Sequence, residues 1–158
     1  MANCLSLTGR IKTLSGNETT AKILGYAGLI PFLVFAAGSW VVLPYVNDSI
    51  TILLNYAAII LSFMGAIHWG VAMAGDEIDS AKYYVASVIP ALLAWIALLL
   101  PQTMALSLLL SGFIGLLIYD SKVEKVQHLP SWYIPMRIRL TITVSLCLAA
   151  SLISVTLN

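Results

Sequence analysis

The sequence predicts an all-α polytopic membrane protein: a bundle of five transmembrane helices, N-terminus inside and C-terminus outside. Three observations carry this expectation. Of 158 residues, 60% are hydrophobic and only 9% are charged, and the mean hydropathy is +0.96. Ordinary soluble domains carry about 25% charged residues, and a water-soluble core could not absorb so much apolar surface. Five stretches approach or exceed the roughly 20 apolar residues a helix needs to cross a hydrocarbon layer about 30 Å thick. If those five cross in turn, all eight Lys and Arg residues fall on one side.

The elements follow in chain order. Residues 1–22, MANCLSLTGRIKTLSGNETTAK, have no central apolar run and so do not form a secretory signal. Arg10 and Lys12 are too few for a mitochondrial presequence, and the segment reads as a short cytoplasmic tail. Residues 23–158 form the transmembrane domain. Its first span is 23–42, ended by LPYVND. The second, 49–74, exceeds the minimum length and must tilt or project from the bilayer. The third, 83–100, is broken by Pro101, and the fourth, 102–119, forms a tight hairpin with it. DSKVEKVQHLPSWYIPMR is the one long polar connection, and 138–157 is the fifth span. Five spans exclude a simple equal inverted duplication.

With the N-terminus inside, the inner segments hold Arg10, Lys12, Lys22, Lys82, Lys122, Lys125, Arg137 and Arg139, and the outer segments hold none. Removing one span would scatter these charges over both sides.

Composition excludes several functions. A formal charge of +1 gives no basic surface for nucleic acid. Cys4 and Cys147 lie at opposite ends of the chain and suggest neither a disulfide framework nor a metal cluster. No Ser–His–Asp order, HExxH, CxxC or glycine-rich phosphate loop is present. Haem held between two histidines would need two imidazoles in the spans, and the chain has His68 and the loop residue His128. An ion pump would place acidic residues within its spans; Asp76, Glu77 and Asp79 instead read as a solvated loop.

What remains is FMGAIHWGVAMAG, residues 63–75, with an ionisable His68 deep in the second span. Asn55, Ser62 and Trp69 share one helix face, Ala58, Gly65 and Ala72 lie beside it, and His68 borders that stripe. Small residues let a neighbouring helix approach closely, whereas intramembrane ionisable residues mark ligand or proton paths. Pro31 and Pro90 free the carbonyls of Ala27 and Ala86 near the depth of His68; an imidazole N–H, Tyr26, Ser87 or water would satisfy them. Arg137 and Arg139, two apart on a helix, point nearly opposite ways, so one turns inward, where Asp120 is its partner. Trp132 and Tyr133 read as interfacial aromatics at the same end.

AKILGYAGLIPF, LNYAAIILSFMGAIHWG, SVIPALLAWIALLLP and LPSWYIPMRIRLTITV together resemble the transmembrane-protein-69-like family, small bacterial inner-membrane and mitochondrial proteins of unknown function. The resemblance runs from Ala21 through the fifth span. Its most specific pieces are HWG at His68–Gly70 and LPxWY…R at Leu129–Arg137. It implies a five-helix protein of the bacterial inner membrane, or of the mitochondrial inner membrane in a eukaryote, and supplies no catalytic residue. The chain is also similar in length and span number to the translocator protein family, which binds tetrapyrroles and sterols. The WxPP-type motif of that family is absent.

The functional expectation is a non-catalytic membrane protein with an inner-leaflet pocket for a small amphipathic ligand: a quinone, tetrapyrrole or lipid headgroup. The candidate lining is His68, Trp69, Tyr26, Asp120, Trp132, Tyr133 and Arg137. No catalytic or metal-ligating residue is assigned, and no cofactor is named. The alternatives are an assembly or accessory subunit docking on a larger membrane complex or on a second copy, and a transporter.

Overall fold

The computed structural model describes residues 18–41, 46–74, 80–123 and 132–157. Among these residues are five helices long and apolar enough to cross a membrane. We number them α1 (Glu18–Trp40), α2 (Val46–Ala74), α3 (Ser80–Leu98), α4 (Gln102–Val123) and α5 (Tyr133–Leu157). Cys4, Arg10, Lys12, the Asp76–Glu77–Asp79 loop, Lys125, His128 and Leu129 lie outside the described residues.

The helices overrun the apolar stretches that announce them. α1 starts at Glu18 rather than 23, and α5 at Tyr133 rather than 138. Backbone hydrogen bonding propagates through polar turns as readily as through apolar ones, so a span's hydropathy marks its membrane core and not its ends. Asp48 sits in the first turn of α2 and Lys122 in the last turn of α4, each complementing the helix dipole.

α1 is interrupted. Helix covers residues 18–27, turns at Gly28 and Leu29, and resumes at Ile30. Pro31 has no N–H to give Ala27, and Leu29 N–H instead closes a tighter bond to Tyr26 O at 3.0 Å. The gap is covered from α2: the Tyr56 hydroxyl donates to Gly28 O at 3.0 Å. Two of the donors expected at the carbonyls of Ala27 and Ala86 are engaged at other acceptors. His68 and Ser87 are committed elsewhere, His68 to Asp120 and Ser87 Oγ to Tyr84 O at 2.7 Å.

Close approaches define the topology. Gly28 meets Tyr56 and Gly38 meets Ser49, so α1 and α2 run antiparallel. A Cβ on Gly65 would stand 2.8 Å from Pro90 Cγ and 2.9 Å from Ser87 O, which sets α2 directly on the proline turn of α3. A Cβ on Gly112 would stand 2.9 Å from both Leu61 and Leu93, wedging α4 between α2 and α3. Ser39 of α1 meets Ser151 and Ser154 of α5, and Gly25 meets Leu140, so these two run parallel. The result is an up-and-down bundle with α2 packed on α1, α3 and α4.

The core centres on Phe32, Leu53, Leu61, Leu106, Leu109 and Leu148. Phe32 presents edge-to-face rings to Tyr56 at 5.1 Å and Phe113 at 6.1 Å. Between 17% and 39% of each span's most apolar window is buried inside the bundle. Most of that apolar surface therefore faces outward, where lipid covers it. Helix association then rests on packing and polar contacts rather than on the hydrophobic effect. The buried small residues Ala58, Gly65 and Ala72 serve that packing.

The start of α1, end of α2, start of α3, end of α4 and start of α5 gather at one end of the bundle. That end, called proximal below, holds Lys22, Lys82, Lys122, Arg137 and Arg139, every described Lys and Arg.

Candidate functional site

The polar centre of the bundle is built from three helices at the proximal end. Asp120, near the C-terminal end of α4, is 1% exposed. From α2, His68 Nε2–H donates to Asp120 Oδ1 at 2.8 Å; from α5, Arg137 Nε–H donates to Asp120 Oδ2 at 2.7 Å. The side chains of His68 and Arg137 are each 3% exposed. Arg139, two residues on, is exposed, so the two arginines do divide between interior and surface as their spacing requires.

A buried carboxylate is tolerable only when paired and hydrogen-bonded, and here each oxygen receives one donor. The carboxylate accepts from Nε2, so the second imidazole nitrogen is free for another role. Nδ1 is buried and has no hydrogen-bond partner among the described residues. With the carboxylate as acceptor, the proton in this bond is on Nε2. Tyr119, beside Asp120 on α4, lays its ring edge-to-face on the imidazole at 4.9 Å and holds its plane.

Next to this triad lies a cavity of about 350 Å³, bounded by α1, α2 and α5 and floored by Phe113 of α4. Its walls are apolar: Leu24, Gly25, Gly28, Phe32, Ile60, Phe63, Met64, Ile67, Leu140 and Val144 among them. Leu24 and Phe63 are 67% and 66% exposed, which places a mouth on the lipid-facing side. The polar groups at its wall are Arg137, Thr141, the Tyr133 phenol and the Trp132 indole, with the last two rings edge-to-face at 6.3 Å. Two glycines, Gly25 and Gly28, thin the α1 wall where a side chain would intrude. The volume falls at the lower end of the roughly 300–1,000 Å³ of small-molecule pockets.

The structure brings together His68, Asp120 and Arg137 as one bonded cluster, and Arg137, Trp132 and Tyr133 as one stretch of cavity wall. His68 reaches the cavity through Asp120 and Arg137. Trp69 is 47% exposed and packs on Tyr84 of α3 at 5.0 Å, on another side of α2. Tyr26 is 40% exposed and is not among the residues lining the cavity. Sequence reasoning missed Tyr56, Tyr119, Thr141 and the α1 glycines. Gly28, three residues before Pro31, was the signal for a break in α1, and Tyr56 had none. Among the described residues, no group of three or more His, Cys, Asp and Glu is placed to hold a metal ion.

The comparisons with known proteins agree with this architecture and leave the chemistry open. The family described as "Protein of unknown function (DUF3429)" matches residues 17–153. Transmembrane protein 69 of Xenopus tropicalis is 34% identical over 148 residues, which cover 91% of this chain and 58% of that relative. The chain thus matches little more than half the length of that curated relative. No solved structure matches it. With five membrane-crossing helices and a family match over nearly its whole length, the chain belongs to the DUF3429 family of transmembrane-protein-69-like, multi-pass membrane proteins.

Proposed function

We propose that the protein binds a small amphipathic ligand, non-catalytically, in the cavity between α1, α2 and α5. The single observation that carries this reading is the coincidence of an apolar, laterally open cavity with a buried arginine in its wall. A ligand from the bilayer would enter tail-compatible walls past Leu24 and Phe63 and present its head to Arg137, Trp132 and Tyr133. Asp120 and His68 act one step back, holding the guanidinium in place. Ligands of this kind are a quinone, a tetrapyrrole or a lipid headgroup. The concentration of Lys and Arg at the proximal end supports an N-terminus inside and a cavity facing the inner leaflet, in a bacterial inner or mitochondrial inner membrane. Native mass spectrometry of gently purified protein tests the reading: it expects a retained small molecule that is lost in Val144→Phe, which fills the cavity. Protein that retains nothing and has an unchanged spectrum on adding amphiphiles refutes it.

A second reading, docking on a partner helix, is favoured by one feature. Thr103, Ser107, Ser111 and Gly115 form a small-residue line on the outer face of α4, and nothing lies within 4 Å of a Cβ placed on Gly115. Co-purification of a stable partner, abolished by Ser111→Leu, would favour this over the ligand reading.

A further inference from the structure

We propose that the head of the cavity's ligand is a neutral carbonyl-type hydrogen-bond acceptor, as in a quinone or an ester, and not a carboxylate or phosphate. This rests on the cavity reading above and narrows it. Arg137 is the one described Lys or Arg in the cavity wall, and its charge is already met by Asp120 at 2.7 Å. The same carboxylate also takes the His68 Nε2–H at 2.8 Å. The guanidinium and the carboxylate therefore already neutralise one another.

An anionic head would bring a second negative charge to a single guanidinium. It would either lie unneutralised against apolar walls or draw Arg137 away and strand Asp120, which is 1% exposed. Both outcomes leave a buried charge without a counter-charge, a costly arrangement even where, as at Asp120, the bond from His68 remains. A carbonyl oxygen asks only for an N–H. Arginine has five donors, the bond to Asp120 uses one of them, Nε–H, and Arg137 lies in the cavity wall beside Tyr133. The crossed rings of Trp132 and Tyr133 supply apolar surface for a head with a planar carbonyl.

The test uses the full chain in discs of neutral phosphatidylcholine and three probes with the same twelve-carbon tail design: dodecyl-benzoquinone, methyl dodecanoate and dodecanoate. Binding is read from tryptophan fluorescence at about pH 8, where the carboxylate is ionised, and corrected for partition into empty discs. The expected result is that at least one neutral probe binds about tenfold or more tightly than dodecanoate. Which neutral probe binds better separates a quinone from an ester-bearing lipid as the source. Asp120→Asn leaves Arg137 without its counter-charge, and the preference should reverse toward dodecanoate. Dodecanoate binding to the wild-type protein as tightly as both neutral probes overturns this proposal while leaving the cavity reading intact. If none of the three binds, both fall. The wild-type comparison decides by itself where Asp120→Asn does not fold.

Discussion

Removing the carboxylate of Asp120 should cost more than removing the guanidinium of Arg137, and the two losses should not add. Asp120→Asn keeps the shape but leaves Arg137, 2% exposed, as a buried cation with no counter-charge. Breaking one partner of a buried pair costs about 3–5 kcal/mol. Arg137→Met is milder, because Asp120 keeps the charge-assisted bond from His68 at 2.8 Å, and the lost bond to a charged group is worth about 1.5–3 kcal/mol. In the double variant neither charge remains, and a pair replaced by neutral groups is often close to neutral in stability. The double variant should therefore lie above Asp120→Asn alone, which requires a coupling energy larger than the Arg137→Met loss of about 1.5–3 kcal/mol. For a chain of this size 1 kcal/mol corresponds to about 2–4 °C, so Asp120→Asn should lower the melting temperature by roughly 6–20 °C. Thermal unfolding of the four proteins in one detergent closes the cycle. Losses that add within about 0.5 kcal/mol would refute the idea that these two charges sustain one another. Exchanging the charges, Asp120→Arg with Arg137→Asp, gives a second check: the double exchange should recover stability that each reversal loses, and a double worse than both singles rejects the pairing.

Three further outcomes are expected. Gly65→Ala puts a methyl 2.8–2.9 Å from the Pro90 ring and the Ser87 carbonyl, neither of which can yield locally; separating α2 from α3 should cost about 1–3 kcal/mol in thermal unfolding. Gly70→Ala, where a Cβ meets nothing within 4 Å, should instead be neutral or stabilising by up to about 1 kcal/mol, and equal losses at both positions would contradict the packing described. Tyr56→Phe removes the donor to Gly28 O at the break in α1 and should cost about 0.6–1.5 kcal/mol, with faster amide exchange around residues 28–32; unchanged exchange there would show that another group satisfies that carbonyl.

Legibility in the sequence followed the physics of each feature. The span count was readable because bilayer thickness imposes a length and a polarity on every crossing segment. The inward turn of one arginine was readable because two residues on a helix are separated by about 200°, and Asp120, which ends the fourth span, was its natural partner. Trp69 and Tyr26 illustrate the opposite case. Trp69 follows the buried His68 and Tyr26 follows Gly25 of the cavity wall, yet both are substantially exposed. On a hydrophobic helix, lipid-facing and bundle-facing positions have the same composition, so a helical wheel carries no sign of which face is inside.

By itself, then, the sequence determined five helices long and apolar enough to cross a membrane, and marked His68, Asp120 and Arg137 as polar groups in need of partners. Those are consequences of solvent: hydrocarbon admits helices, and excludes charge unless it is paired. Only the tertiary structure decided that one carboxylate receives both donors, that α1 breaks at Gly28 under the hydroxyl of Tyr56, and that α1, α2 and α5 part to leave a cavity with Arg137 in its wall. Those depend on the relative rotation and height of helices, which close contacts such as Gly65 on Pro90 set to within an ångström and which no single helix encodes.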